Sequence, residues 1–225
     1  MSSVVKSNAM TDRRRLCGIL LSGLVGIPAL APALVAADQD TAVRSQAVIV
    51  FVGSSIFHRW TNLTQQMAPL PVLNRAIDGT QTADMLRMLD SDVLRSRPKV
   101  IVYYCGSNDV DAGEPATRIF DRIRQFVVRV STALPETRVV FISINRAPEK
   151  QELWSIVDAV NHLVEAYAGE TKHLQYVDVN PSLFNRDGTP RMELYLSDQL
   201  HFRPAAYEEL ARVLKPVLTQ AFNTP

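Results

Sequence analysis

From residue 47 onward the chain alternates short unbroken apolar runs with longer stretches in which apolar residues return every three or four positions. Residues 47–52 (AVIVFV) are apolar without a break and stop at Gly53. That pattern predicts a strand buried on both faces. The runs at 100–105 (VIVYYC) and 139–144 (VVFISI) read the same way, the first of them ending at Gly106. Weaker strands are expected over 72–77 and 174–179. Between the strands lie helical periods. Residues 82–95 put Ala83, Leu86, Met88, Leu89 and Leu94 on one helix face, and further helices are expected over 115–133 and 152–167. Pro204 suits the first turn of a terminal helix with a packing face of Leu210, Val213, Leu214, Val217 and Leu218.

Strands alternating with helices imply right-handed crossovers and a sheet covered on both sides. The expected fold is therefore α/β, a three-layer α/β/α sandwich around a mainly parallel five-stranded sheet. Ligands of such sheets bind beyond the carboxyl ends of the strands. The residues just after each apolar run are thus the ones to inspect for chemistry.

Residues 1–37 break the pattern. Arg13, Arg14 and Arg15 precede an apolar, Ala-rich run over 16–37, and Asp38 returns the chain to polar sequence. This reads as an export signal, cleaved after Ala37 or Ala36, and it places the protein outside the cytoplasm, periplasmic or secreted. An uncleaved membrane anchor over 16–37 is the alternative, opposed by Pro28 and Pro32 within the span. The arginines also leave a twin-arginine route open. Cys17 sits at the wrong end of the apolar run for lipid attachment. The remaining 38–225 has the length of one domain.

Composition narrows the function classes. The chain of 225 residues carries 24 Lys plus Arg against 23 Asp plus Glu, with 47% hydrophobic residues. This is a soluble, globular balance that excludes disorder and a multipass membrane protein. The leader holds four of the bases and one acid, so the rest has 20 bases and 22 acids. Without a basic excess, nucleic acid is not an expected partner. No protein partner is legible, and a membrane enters only if the leader is retained. Cys105 is the only cysteine after the leader, so no internal disulfide is expected.

Four short blocks carry candidate chemistry. Gly53-Ser54-Ser55 follows the first strand, where a sharp turn can point a hydroxyl into the crevice. Asp78-Gly79-Thr80 follows the second and offers a backbone N–H that a substrate can approach closely. Gly106-Ser107-Asn108-Asp109 follows the third and offers amide donors. Asp198-Gln199-Leu200-His201 precedes the last helix, and its spacing lets the carboxylate fold back onto Nδ1 of the imidazole. Each block alone also reads as ordinary turn or cap chemistry. Together they supply a nucleophile, oxyanion donors, a base and an orienting acid at one sheet edge.

In order and spacing these blocks resemble the SGNH (GDSL-like) hydrolase family over residues 47–225. Ser55, Gly79, Asn108 and His201 match its four blocks, and Asp198 its Asp-x-x-His. The usual Gly-Asp-Ser reads Gly53-Ser54-Ser55 here, as in a GSS-type branch, and Ala76 and Asp78 stand where Gly and a small residue are common. The resemblance implies a flavodoxin-like sheet and ester hydrolysis through an acyl-enzyme. It assigns Ser55 as nucleophile, His201 as base and Asp198 as its orienting acid. It also assigns the N–H groups of Ser55 and Gly79 and the Asn108 side chain to the oxyanion hole, and it implies no metal and no cofactor. The expected substrate is a small ester, O-acetylated or short-chain, of a carbohydrate or lipid. The alternatives are a lysophospholipase or thioesterase, or a catalytically silent carbohydrate- or lipid-binding module. No Gly-x-Ser-x-Gly elbow occurs. His58 is a candidate pocket residue, whereas His162, His173, Ser107 and Cys105 carry no constellation of their own. Substrate choice is expected to rest on loops over 57–71 and 146–151.

Overall fold

The computed structural model describes residues 48–224. The leader over 1–37 lies outside the described residues. The described part alternates strands and helices from end to end. β1 (Ile49–Gly53) is followed by α1 (Ser55–His58) and α2 (Leu63–Met67). After β2 (Val72–Asn74) comes α3 (Thr82–Met88), and after β3 (Val100–Tyr104) come α4 (Ser107–Asp111) and α5 (Ala116–Ala133). β4 (Arg138–Ile142) leads through a 3-10 turn (Pro148–Leu153) to α6 (Trp154–Glu170). β5 (Leu174–Val177), α7 (Asn180–Leu183) and α8 (Pro204–Asn223) complete the domain.

All four strand pairings are parallel, in the order β2-β1-β3-β4-β5. This is the flavodoxin-like order, with its switch point between β1 and β3. Successive side chains of a strand point to opposite faces. Ile49 and Phe51 accordingly join a core built with α1, α2 and α8. Val50 and Val52 join the other core, built with α3, α5 and α6. The three layers follow from that alternation.

Several element ends differ from expectation. The second strand keeps only three residues. Its Asn74 side chain donates to the Phe57 carbonyl at 2.6 Å and accepts from the Ala76 N–H at 3.0 Å, which closes a turn. The third strand stops one residue before Cys105, and the fourth and fifth stop at Ile142 and Val177. The helix expected over 82–95 is regular only to Met88, then widens into a π turn (Leu89–Val93) and tightens into a 3-10 turn that ends at left-handed Arg97. Pro98 follows, and the helical conformation is disfavoured for a residue before proline. The buried line is Met85, Leu89 and Val93, which shares only Leu89 with the expected face; Leu86, Met88 and Leu94 are only partly buried. Residues 57–71, expected as a substrate loop, instead hold the end of α1 and all of α2, with their large apolar side chains turned into the core. Phe57, Trp60, Leu63 and Met67 are all buried there, because α1 and α2 cover β1 and β2.

Gly53 is where the sheet and the site meet. It pairs with Tyr104 at the end of β1 and has φ 143°. A Cβ at this position would lie 1.8 Å from the Tyr104 carbonyl oxygen. Only glycine lets the strands approach this closely while the chain turns. Gly53→Ala is therefore expected to destabilise the fold by about 3–5 kcal/mol, combining backbone strain with overpacking against backbone. Urea unfolding measures this, and a loss below about 1 kcal/mol would contradict the account.

Candidate active site

The turn at Gly53 delivers two serines in sequence. Ser54 is extended and buried, and its N–H donates to the Tyr104 carbonyl at 3.2 Å. Its own carbonyl accepts from Phe57 and His58, at 3.1 and 3.0 Å, which starts α1. Ser55 is the first residue of that helix, so its N–H lies ahead of the intrahelical ladder. Its hydroxyl faces the cleft and meets Nε2 of His201 at 3.1 Å.

His201 reaches this position from a returning loop. Tyr195 and Phe202 form an antiparallel bridge, and the Leu196 N–H donates to the His201 carbonyl at 2.7 Å. Gln199 takes a left-handed φ of 56° at the bend. One oxygen of Asp198 accepts the N–H groups of Leu200 and His201, both at 3.0 Å. The other meets Nδ1 of His201 at 2.7 Å. An ionised carboxylate can only accept, so Nδ1 carries the proton and Nε2 is left to accept from Ser55. Desolvation is the largest single influence on Asp198 and raises its pKa. The hydrogen bonds from the imidazole and the two backbone N–H groups together outweigh it and hold the carboxyl at about 2.

The opposite wall comes from the loops after β2 and β3. Gly79 turns with φ 74° and faces open space. Asn108, on α4, donates one amide hydrogen to the Thr80 carbonyl at 3.0 Å. An amide has two such hydrogens, so the other remains for a ligand. Next to it, Asp109 is fully buried and accepts from the Thr82 backbone N–H at 2.9 Å, from the Thr82 hydroxyl at 2.5 Å, and from Arg122 at 3.3 Å. Burial pushes its carboxyl above the ordinary aspartate range, and these contacts offset that only in part. Asp109 thereby ties α4 to the start of α3 and fixes where Asn108 can stand. Ser55, Gly79, Asn108 and His201 line one cleft of about 200 Å³. Asp198 stands behind His201.

The GDSL-like lipase/acylhydrolase family profile matches residues 34–209. The chain belongs to that family. Solved structures share its fold. A GDSL-like lipase from Bacteroides thetaiotaomicron is 21% identical with a TM-score of 0.67, covering 80% of this chain and 91% of its own. A lipase/acylhydrolase from Enterococcus faecalis is 19% identical with a TM-score of 0.63, covering 77% and 95%. A catalytic mutant of an acetylxylan esterase from Geobacillus stearothermophilus is 17% identical with a TM-score of 0.63, covering 80% and 95%. Among curated proteins, none matches.

Within this GDSL-like hydrolase the structure gathers the four sequence blocks at the carboxyl ends of β1, β2 and β3. The other candidates fall elsewhere. His58, expected at the pocket, instead bonds the Ala76 carbonyl through Nδ1 at 2.9 Å. The turn of α1 rotates it away and gives the cleft wall to its neighbour, Arg59. His162 is exposed on α6, and His173 lies just before β5, at the far end of the sheet. Cys105 is fully buried, and burial raises its thiol well above the ordinary range. Sequence reasoning did not single out Arg59, whose guanidinium pairs with Asp78 at 3.2 Å across the cleft mouth. Its position four residues after Ser55, one helical turn on, was the available signal. It also passed over Lys150.

The depressed pKa of Asp198 has a direct consequence for stability. An unfolded aspartate titrates near ~3.9, and the folded one at about 2. The contribution of the ionised carboxylate is therefore complete above pH ~4–5 and is lost as pH falls toward about 2. The side chain is 46% exposed, so screening limits the contribution to about 1 kcal/mol or less. Wild type should exceed Asp198→Asn in stability at neutral pH and converge with it near pH ~2, where a protonated carboxyl resembles the amide. Thermal melts across this range test it. A gap that stays constant would rule out the ionised carboxylate as its source.

Proposed function

We propose that this family member is a serine esterase working through an acyl-enzyme, and the Asp198–His201–Ser55 hydrogen-bond chain is the observation that carries the reading. His201 Nε2 takes the Ser55 proton as Oγ attacks the ester carbonyl. The carbonyl oxygen becomes an anion held by the N–H groups of Ser55 and Gly79 and by the free amide hydrogen of Asn108. Collapse expels the alcohol, which leaves with the proton from His201. Water then adds to the acyl-enzyme with His201 again as base, and the carboxylic acid is released. Asp198 keeps Nδ1 protonated and the ring aimed throughout. None of these steps draws on a metal or cofactor.

The substrate we infer is a short-chain or O-acetyl ester of a polar alcohol, such as an acylated carbohydrate. A cleft of about 200 Å³ favours a small acyl group. The charged Arg59–Asp78 rim favours an alcohol rich in hydroxyls over a lipid tail. A fold neighbour named as an acetylxylan esterase is in keeping with this. A lysophospholipase or thioesterase needs more apolar room, and a silent binding module has no use for a serine hydrogen-bonded to an oriented histidine. The basic and then apolar leader supports action outside the cytoplasm, on a periplasmic or secreted substrate.

Hydrolysis of p-nitrophenyl acetate tests the chemistry. Ser55→Ala should lower kcat by roughly 10⁴ to 10⁶-fold, and Asn108→Ala by about 10² to 10³-fold. Equal rates for wild type and Ser55→Ala would end the esterase reading. For the substrate class, kcat/KM should fall as the acyl chain of p-nitrophenyl esters lengthens from acetate to octanoate. A rise along that series would point instead to the lipid-directed alternatives.

A further inference from the structure

Lys150 is 3% exposed. Lysine is almost never this buried without dedicated partners, because removing its charge from water is costly. Here the ammonium is fully engaged. It donates to the Ser107 carbonyl at 3.1 Å and to the Ser107 hydroxyl oxygen at 3.2 Å, and it pairs with Asp111 at 3.4 Å. Two of the three ammonium hydrogens thus go to Ser107, and the Asp111 carboxylate balances the charge. Ser107 and Asp111 are the first and last residues of α4, and Asn108 lies between them. Lys150 therefore braces, at both ends, the short helix that presents the Asn108 amide. A five-residue helix has too few internal hydrogen bonds to hold its own direction.

The same turn also touches the other wall. The N–H of Glu149 donates to the carbonyl of Gln199 at 3.2 Å. Gln199 is the left-handed bend between Asp198 and His201. The turn Pro148–Leu153 is thus bonded to the His201 loop through Glu149 and to the Asn108 helix through the next residue, Lys150. Its bend at Lys150, φ −104° and ψ 28°, lets the side chain turn inward while Glu149 stays at the surface.

We propose that Lys150 is a positioning residue for the oxyanion side of the cleft, acting through Ser107 to hold the Asn108 amide at the place where negative charge develops. The proposal rests on the esterase reading above. Because Lys150 donates to Ser107 Oγ, the Ser107 hydroxyl proton points away from the ammonium, and Ser107 lines the cleft. Loss of Lys150 would free α4 to tilt, and misplacing a charge-stabilising donor by about 1 Å costs on the order of 10²-fold in rate.

The test is kinetic, on the full chain with p-nitrophenyl acetate. Lys150→Met keeps the length of the stem and removes the ammonium. It should lower kcat by about 10 to 100-fold with KM within about twofold of wild type. The inhibition constant of a trifluoromethyl ketone, which forms an oxyanion on the serine, should rise by the same factor. In the Asn108→Ala background the substitution should add almost nothing, since both act on one donor. Wild-type kcat in Lys150→Met, or a loss fully additive with Asn108→Ala, would overturn the proposal. If Lys150→Met fails to fold, Ser107→Ala removes only the hydroxyl contact. It should cost several-fold in kcat, again without effect beside Asn108→Ala, and an unchanged kcat would count against the proposal. A Ser55→Ala variant that still hydrolyses the ester would defeat the esterase reading itself. An inactive Ser55→Ala beside an unaffected Lys150→Met defeats only the role of Lys150.

Discussion

The close approach of β1 to β3 at their carboxyl ends is the constraint on which the rest depends. Gly53 sits so near the Tyr104 carbonyl that no side chain fits, and that contact sets the point where both strands release their loops. The chain leaving β1 enters α1 and presents Ser55, while the chain leaving β3 enters α4 and presents Asn108. Because β1 and β3 are neighbours at the switch point, the two loops diverge to opposite sides and leave a crevice between them. β2 then lays Gly79 beside the same crevice. Its edge position spares it from a full ladder, so it can break off after Asn74 and turn.

Holding polar groups in place at that crevice is a separate problem from forming the sheet. The loops are short, and short loops carry few hydrogen bonds of their own. The solution is a set of buried and half-buried polar side chains that act as cross-braces. Asp109 fixes α4 to α3, Asn74 fixes the loop after β2 to α1, and Asn161 brackets Ile144 with bonds of 2.8 and 2.9 Å to its N–H and carbonyl. A buried polar group left unpaired costs roughly 1–3 kcal/mol. Each brace therefore makes displaced arrangements of its loop expensive, which keeps the donors of the cleft in one geometry. Lys150 belongs to this set and is its most costly member, since it carries a full charge.

The layers and four blocks of the site were legible in sequence because both rest on strong local signals. Unbroken apolar runs such as 47–52 leave little alternative to a buried strand, and the residues after them have few places to go. Helix faces were less legible. The stripe of Met85, Leu89 and Val93 passes through a π turn, and a regular period of 3.6 cannot anticipate that register change. Residues 57–71 read as a loop because their helices are only four and five residues long, although Phe57, Trp60, Leu63 and Met67 recur every three or four positions and cover the face of β1. Arg59 rather than the expected His58 lines the cleft, since one residue of helix rotation decides which of them faces it. Lys150 was illegible because a lone lysine in a polar stretch is ordinarily a surface residue, and only long-range packing makes it otherwise.

The Asp198–His201 arm shows why burial is not needed for orientation. Asp198 is 46% exposed, whereas His201 is 14% exposed. Water around the carboxylate weakens its Coulomb attraction for an imidazolium, so charge stabilisation alone is a weak reason for its presence. Geometry is a stronger one. Asp198 accepts two backbone N–H groups from its own loop and the Nδ1 hydrogen besides, so the carboxylate and the ring are locked into one rigid turn. That turn is sewn to the core by the Tyr195–Phe202 bridge and by Phe202 packing edge-on against Tyr195 and Tyr207. The ring can then hold one tautomer and one direction while facing solvent.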